Sequence, residues 1–269
     1  MVLHRFIFTA ALTTTSRIVQ VRDRLLGYVP SRDPHCPNIT VKQQTIASGG
    51  NLVDAVHVQP EDIQPKSVVL ICHGIGEIVP QWFGVQKLLA ESGIASLVFD
   101  YSGYGRSTGR IDWLQCEHDA VSAFKYLQRL NPGVPISLLG YSLGTGIAPA
   151  VLDRVTPDRL ILCAGYTSFR NAARAAWIPP FLAPLVPPIW SAQDALCSCH
   201  LPILIVQGDR DRLFRMQMAH DLVACCGGRA ELLVLPARSH NYPVYHPQPQ
   251  YWKPIIAWLL REGPEGPAH

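Results

Sequence analysis

Gly140-Tyr-Ser142-Leu-Gly144 is the stretch whose residue types and spacing point most directly to chemistry. A serine with glycines two positions before and two after suits a turn so tight that flanking side chains would clash. The apolar run at 135–139 predicts a strand before it, and the pattern at 144–154 predicts a helix after it. That turn would expose the Ser142 hydroxyl at a helix N-terminus and aim the Leu143 N–H at a developing oxyanion. A serine hydroxyl is a poor nucleophile at neutral pH and needs a base. Of the ten histidines, His240 alone lies in a short loop after an expected last strand and before a final helix. The base in turn needs an orienting carboxylate. Asp209 and Asp211 both follow the predicted strand at 201–206; Asp211 is the favoured acid and Asp209 the competitor. A second oxyanion donor is expected from the loop His73-Gly74-Ile75-Gly76, with the Ile75 N–H as the choice. His73 reads as a structural brace of that loop.

The elements that must position these residues follow from hydrophobic periodicity. Alternating stretches at 39–47 and 51–58, split by Gly49-Gly50, predict an antiparallel hairpin. From residue 67 onward short Val/Ile/Leu runs alternate with helical patterns. Strands are expected at 67–72, 95–100, 135–139, 159–163, 203–206 and 231–235. Helices are expected at 82–92, 116–130, 144–154, 214–224 and 251–261. Continuous apolar strands between helices mean a mostly parallel sheet covered on both faces, with reactive loops at the carboxyl ends of the strands. The 39–265 region is thus expected to be one α/β domain. Its odd connection is the proline-rich segment at 170–200. Trp177 and Phe181 there are expected to help wall an apolar acyl pocket, largely preformed because prolines stiffen it.

Bulk composition narrows the function classes. The chain has 269 residues, 48% hydrophobic and 16% charged, enough to bury one core. A net charge of +3 is too small to suggest a nucleic-acid surface. Residues 1–38 hold five arginines against two aspartates and read as a basic, amphipathic extension, a helix packed on the domain or frayed, with peripheral membrane contact as the alternative. The expected location is cytoplasmic, with membrane association through this segment as the alternative. The eight cysteines are expected as free thiols, since a chain of this size needs no staples. Cys197-Ser-Cys199-His200 lacks a second pair at useful spacing, and adjacent Cys225 and Cys226 cannot readily face one ion, so no metal is expected.

With the motifs in hand, the chain resembles the α/β-hydrolases, close to their small depalmitoylase and prolyl-oligopeptidase-like branches. The resemblance covers residues 45–262. It rests on His73-Gly74, Phe99-Asp-Tyr-Ser-Gly-Tyr-Gly-Arg-Ser107, Gly140–Gly144, Gly208-x-x-Asp211 and His240. It implies the α/β-hydrolase fold and hydrolysis of esters, thioesters or amides through an acyl-enzyme. It also implies a small-molecule or acyl substrate and no cofactor. The rival reading is a non-hydrolytic ligand-binding or acyl-transfer protein on the same scaffold. A dinucleotide site is disfavoured, because Pro149 stands where the fingerprint wants glycine or alanine.

Overall fold

The computed structural model describes residues 38–176 and 178–261. The alternating segment forms β1 (Ile39–Ser48) and β2 (Asn51–Pro60), an antiparallel hairpin turning at Gly49-Gly50. Six further strands follow: β3 (Ser67–Cys72), β4 (Ile94–Phe99), β5 (Ile136–Tyr141), β6 (Arg159–Cys163), β7 (Ile203–Gly208) and β8 (Ala230–Leu235). They complete one eight-stranded sheet in the order β1-β2-β4-β3-β5-β6-β7-β8. Every pairing from β4 to β8 is parallel. β3, β4, β5 and β7 are buried along their whole length, as continuous apolar strings require.

Helices cover both faces. On one face α2 (Trp113–Leu130) and α3 (Gly144–Ala150) pack Phe124, Leu127 and Ile147 against Leu70, Leu97 and Leu138. On the other face α1 (Phe83–Glu91) and the C-terminal helix pack Leu89, Trp252 and Trp258 against Val69, Ile71 and Val98. Adjacent strand residues thus feed opposite cores, the period of two that a pleated sheet imposes. The sheet with helices on both faces is the predicted fold class.

Two boundaries differ from the periodicity for local reasons. α2 starts three residues earlier than its apolar pattern, because the Asp112 carboxylate accepts the N–H groups of Leu114 at 3.1 Å and Gln115 at 3.4 Å. α3 ends at Ala150 rather than running to 154, and Pro149 in its last turn has no N–H to continue the ladder. The basic extension falls within residues 1–37, outside the described residues. Among the described residues no helix is long and apolar enough to cross a membrane.

Two histidines are built into the core. His57 is 1% and His73 0% exposed, and burial lowers the pKa of each from 6.5 to about 4, with Lys42 adding to the effect at His57. A depressed histidine pKa stabilises the fold fully above 6.5, and that contribution is lost as pH falls toward 4. Urea midpoints are expected to decline across pH 6.5 to 4, with up to ~3 kcal/mol lost per histidine. A His57→Gln variant should show a shallower decline; an unchanged profile would remove His57 from the account.

Candidate active site

Ser142 directly follows β5, and its φ of 49° lies in the left-handed region that a side chain occupies at a cost. The strain is held from both sides. Ser142 N–H donates to the Cys163 carbonyl at 3.0 Å, and the Ser142 carbonyl accepts the Thr145 N–H at 3.0 Å and its hydroxyl at 2.6 Å. The flanking glycines are steric necessities. A Cβ at 140 would stand 2.4 Å from the Gly144 oxygen, and one at 144 would stand 1.9 Å from the Cys72 oxygen. The turn is therefore wedged against the end of β3, where the loop with the expected second donor begins. The Leu143 and Ile75 N–H groups donate to no acceptor among the described residues.

His240 arrives on the loop after β8. Its Nε2 is 2.9 Å from Ser142 Oγ, and its Nδ1 is 2.7 Å from Asp211 Oδ2. A carboxylate only accepts, so Nδ1 carries the proton and Nε2 offers its lone pair to the serine hydroxyl. The ring meets Phe214 edge-on at 5.1 Å, and the Tyr141 hydroxyl donates to the His240 carbonyl. Asp211, 6% exposed, also accepts from Gln207 Nε2 at 2.9 Å and from the N–H groups of Leu213 and Phe214 at 2.9 Å each. Its competitor Asp209 is exposed. The structure therefore joins Ser142, His240 and Asp211 in one hydrogen-bonded line and leaves Asp209 outside it.

Comparisons with known proteins agree with this architecture. A family model described as serine aminopeptidase, S33 matches residues 63–195. The Pyrococcus furiosus esterase Pf2001 superposes with a TM-score of 0.68 at 18% identity, over 86% of this chain and 94% of that one. Est1E of Butyrivibrio proteoclasticus, solved with ferulic acid bound, gives 0.65 at 18% identity, over 81% and 96%. This chain has the α/β-hydrolase fold. Among curated sequences, an uncharacterized protein of Mycobacterium tuberculosis is 28% identical over 179 residues, 65% of this chain and 63% of that protein. The lysophosphatidylserine lipase ABHD12 of Macaca fascicularis is 26% identical over 214 residues, 68% of this chain and 52% of the lipase. The chain thus spans roughly half to two thirds of these relatives' lengths.

Sequence reasoning missed what sets the loop after β3. Glu77 is 2% exposed, and its Oε2 accepts the Gly74 N–H at 2.7 Å and the Trp82 indole N–H at 3.1 Å. His73 Nδ1 bonds the Gly74 carbonyl at 2.8 Å, and the Tyr101 hydroxyl donates to the His73 carbonyl at 3.1 Å. His73 thus braces the loop from within, and Glu77 ties it to the helical turn behind. A lone glutamate beside glycines gives no pattern by which its burial could be foreseen. Glu77→Ala orphans two buried donors and is expected to cost ~2–4 kcal/mol. The urea midpoint measures this, and a shift of a few tenths would mean that water replaces the carboxylate.

The proline-rich segment departs from expectation. It begins in α4 (Phe169–Ala175), and its far end is anchored: Trp190 is 4% exposed, donates to Glu117 Oε1 at 3.0 Å and meets Phe169 edge-on at 5.5 Å. In its middle, Phe181 and Leu182 are exposed. Phe181 sits on a 3-10 turn (Pro180–Leu185) and is 77% exposed, so it walls no preformed acyl pocket; Trp177 lies outside the described residues. The sequence showed that this apolar run needs cover but not which half receives it. Beside His240 runs an open groove lined by Arg210, Arg212, Leu213, Ser239 and Asn241. Among the described residues, no three or more His, Cys, Asp or Glu side chains are placed to hold a metal ion.

Proposed function

We propose that this chain is a serine hydrolase that cleaves carboxylic ester or thioester bonds through an acyl-enzyme. The observation that carries the reading is the line Ser142 Oγ, His240 Nε2, His240 Nδ1 and Asp211 Oδ2, with links of 2.9 and 2.7 Å. His240 takes the Ser142 proton as Oγ attacks the acyl carbon. Asp211 stabilises the resulting imidazolium, and the Leu143 and Ile75 N–H groups receive the oxyanion. His240 then protonates the leaving group, and water repeats the sequence to release the acid. The lipase among the relatives and the esterases among the structural neighbours support an ester substrate. The Asp100–Ser107 stretch is the support for placement near the depalmitoylase and prolyl-oligopeptidase-like branches. The same stretch shapes the site indirectly, since Asp100 Oδ1 accepts the Val79 N–H at 2.8 Å behind the loop after β3.

The test is labelling with a fluorophosphonate, followed by turnover of an ester, thioester and amide panel. A single adduct on the Gly140–Gly144 peptide with ester turnover supports the reading. No adduct and no turnover, with tight binding of a small ligand, would favour the non-hydrolytic alternative.

The groove beside His240 also bears on substrate choice. Arg210 and Arg212 are exposed along it, and Ser239 and Asn241 complete a mainly polar lining. Monoesters of dicarboxylic acids are expected to be turned over with ~5–10-fold higher kcat/KM than neutral esters of equal length at low ionic strength. The advantage should shrink in 0.5 M salt and in the Arg210→Gln/Arg212→Gln double variant. Equal rates for the two ester classes in the unaltered protein would show that the arginines only solubilise the loop.

A further inference from the structure

The cysteines that spacing left unconnected are brought together by the fold. α5 (Ala192–Cys197) precedes β7, and α6 (Met216–Cys225) precedes β8; the two helices pack side by side. Cys225 Sγ lies 3.6 Å from the carbonyl oxygen of Gln193, one helical turn before Cys197 on α5. This places Cys225 beside the last turn of the helix that carries Cys197, near enough for the two thiols to perturb each other. Cys197 is exposed and Cys225 half-buried, so reagents in solvent reach this pair. Cys199 and Cys226 lie beneath them and are buried, and Cys226 Sγ turns to the Leu222 carbonyl at 3.0 Å. The second pair that the sequence lacked at useful spacing is thus supplied by a neighbouring helix. All four are free thiols in this structure.

We propose that Cys197 and Cys225 are a modification site, at which a small-molecule disulfide of the glutathione class installs a cross-link between α5 and α6. The exposed Cys197 acts first. As thiolate it attacks one sulfur of the disulfide R–S–S–R and expels R–S⁻, which takes up a proton, leaving Cys197–S–S–R. Cys225 then gives up its proton to solvent and attacks Cys197 Sγ, expelling the second R–S⁻. Two protein thiols are oxidised and one R–S–S–R is reduced to two R–SH. The order follows from burial and from the neighbouring thiols, which push the Cys225 thiol up to about 12 and hold it protonated until a mixed disulfide is beside it.

The cross-link would close a loop of roughly 30 residues holding β7 and Asp211, and would constrain the unfolded chain. Both thiols lie where helices lead into the amino ends of β7 and β8, whereas Ser142, Asp211 and His240 stand at the carboxyl ends. Stability should therefore change and turnover should not.

The test is to equilibrate the full chain, first fully reduced, in graded mixtures of reduced and oxidised glutathione, and to map bridges by non-reducing peptide mass spectrometry. The expected product is a Cys197–Cys225 bridge, with Tm raised by ~5–10 °C and restored by dithiothreitol. Cys197→Ser and Cys225→Ser should each lose the bridge and the Tm rise. Cys225→Ser should instead retain a glutathione adduct on Cys197. The inference is overturned if the unaltered protein stops at a glutathione adduct on Cys197, bridges Cys199 or Cys226 instead, or keeps all four thiols free in oxidised glutathione alone. None of these readouts needs hydrolytic activity.

Discussion

Ser142→Ala is expected to lower kcat/KM on any ester the protein accepts by ~10³-fold or more while leaving the fold in place. The substitution removes one oxygen and breaks the 2.9 Å contact to His240 Nε2; among the described residues no other hydrogen bond of the Ser142 side chain holds the turn. The turn is held by the Ser142 N–H and carbonyl, which alanine keeps. Circular dichroism and Tm should therefore match the parent while fluorophosphonate labelling disappears. Ser142→Gly extends the test. With φ at 49°, glycine occupies this backbone without strain, so an inactive variant stabilised by up to about 1 kcal/mol is expected. Labelling that survives Ser142→Ala would place the nucleophile elsewhere and remove the proposed mechanism.

Asp211→Asn is expected to lower kcat by ~10⁴-fold, while Asp209→Asn changes it less than about threefold. The Asp211 carboxylate accepts four donors: His240 Nδ1, Gln207 Nε2 and the N–H groups of Leu213 and Phe214. An asparagine oxygen can still serve the two backbone donors. Its amide nitrogen then faces Gln207 Nε2 and His240 Nδ1, two positions that require an acceptor. His240 responds by taking the other tautomer, with the proton on Nε2, and can no longer accept one from Ser142. Asp209 has an exposed side chain, so its replacement removes one surface charge. Paired steady-state kinetics, with Tm as a control for folding, decide the matter. The opposite ranking would mean that a different carboxylate orients the base during turnover.

The candidate nucleophile was legible because Ser142 sits in a local signature. Gly140-x-Ser142-x-Gly144 between a strand and a helix is a steric statement. At Gly140 the clash is with the Gly144 carbonyl, within the turn itself, whereas the Cys72 carbonyl that excludes a Cβ at Gly144 is brought there by the fold. The mostly parallel sheet was equally readable, since strands buried on both faces must be apolar throughout, and the runs at 67–72 and 159–163 match β3 and β6 residue for residue. Wherever a function depends on which distant segment lies alongside, local patterns contain no information, and packing decided. Asp211 and Asp209 are both turn-compatible residues two positions apart, and only the approach of the His240 loop distinguishes them. Glu77 and Gln207 do their work through burial, which a single polar letter does not encode. Phe181 and Trp190 belong to one apolar segment, yet α2 and α3 cover only the second. Cys197 and Cys225 became neighbours because two helices on the same face of the sheet pack side by side, a contact between residues that sequence spacing keeps far apart. Backbone sterics and periodicity act within a few residues and can be read from the chain. Side-chain pairing across the sheet depends on the free energy of the whole core, so it was decided only when the core closed.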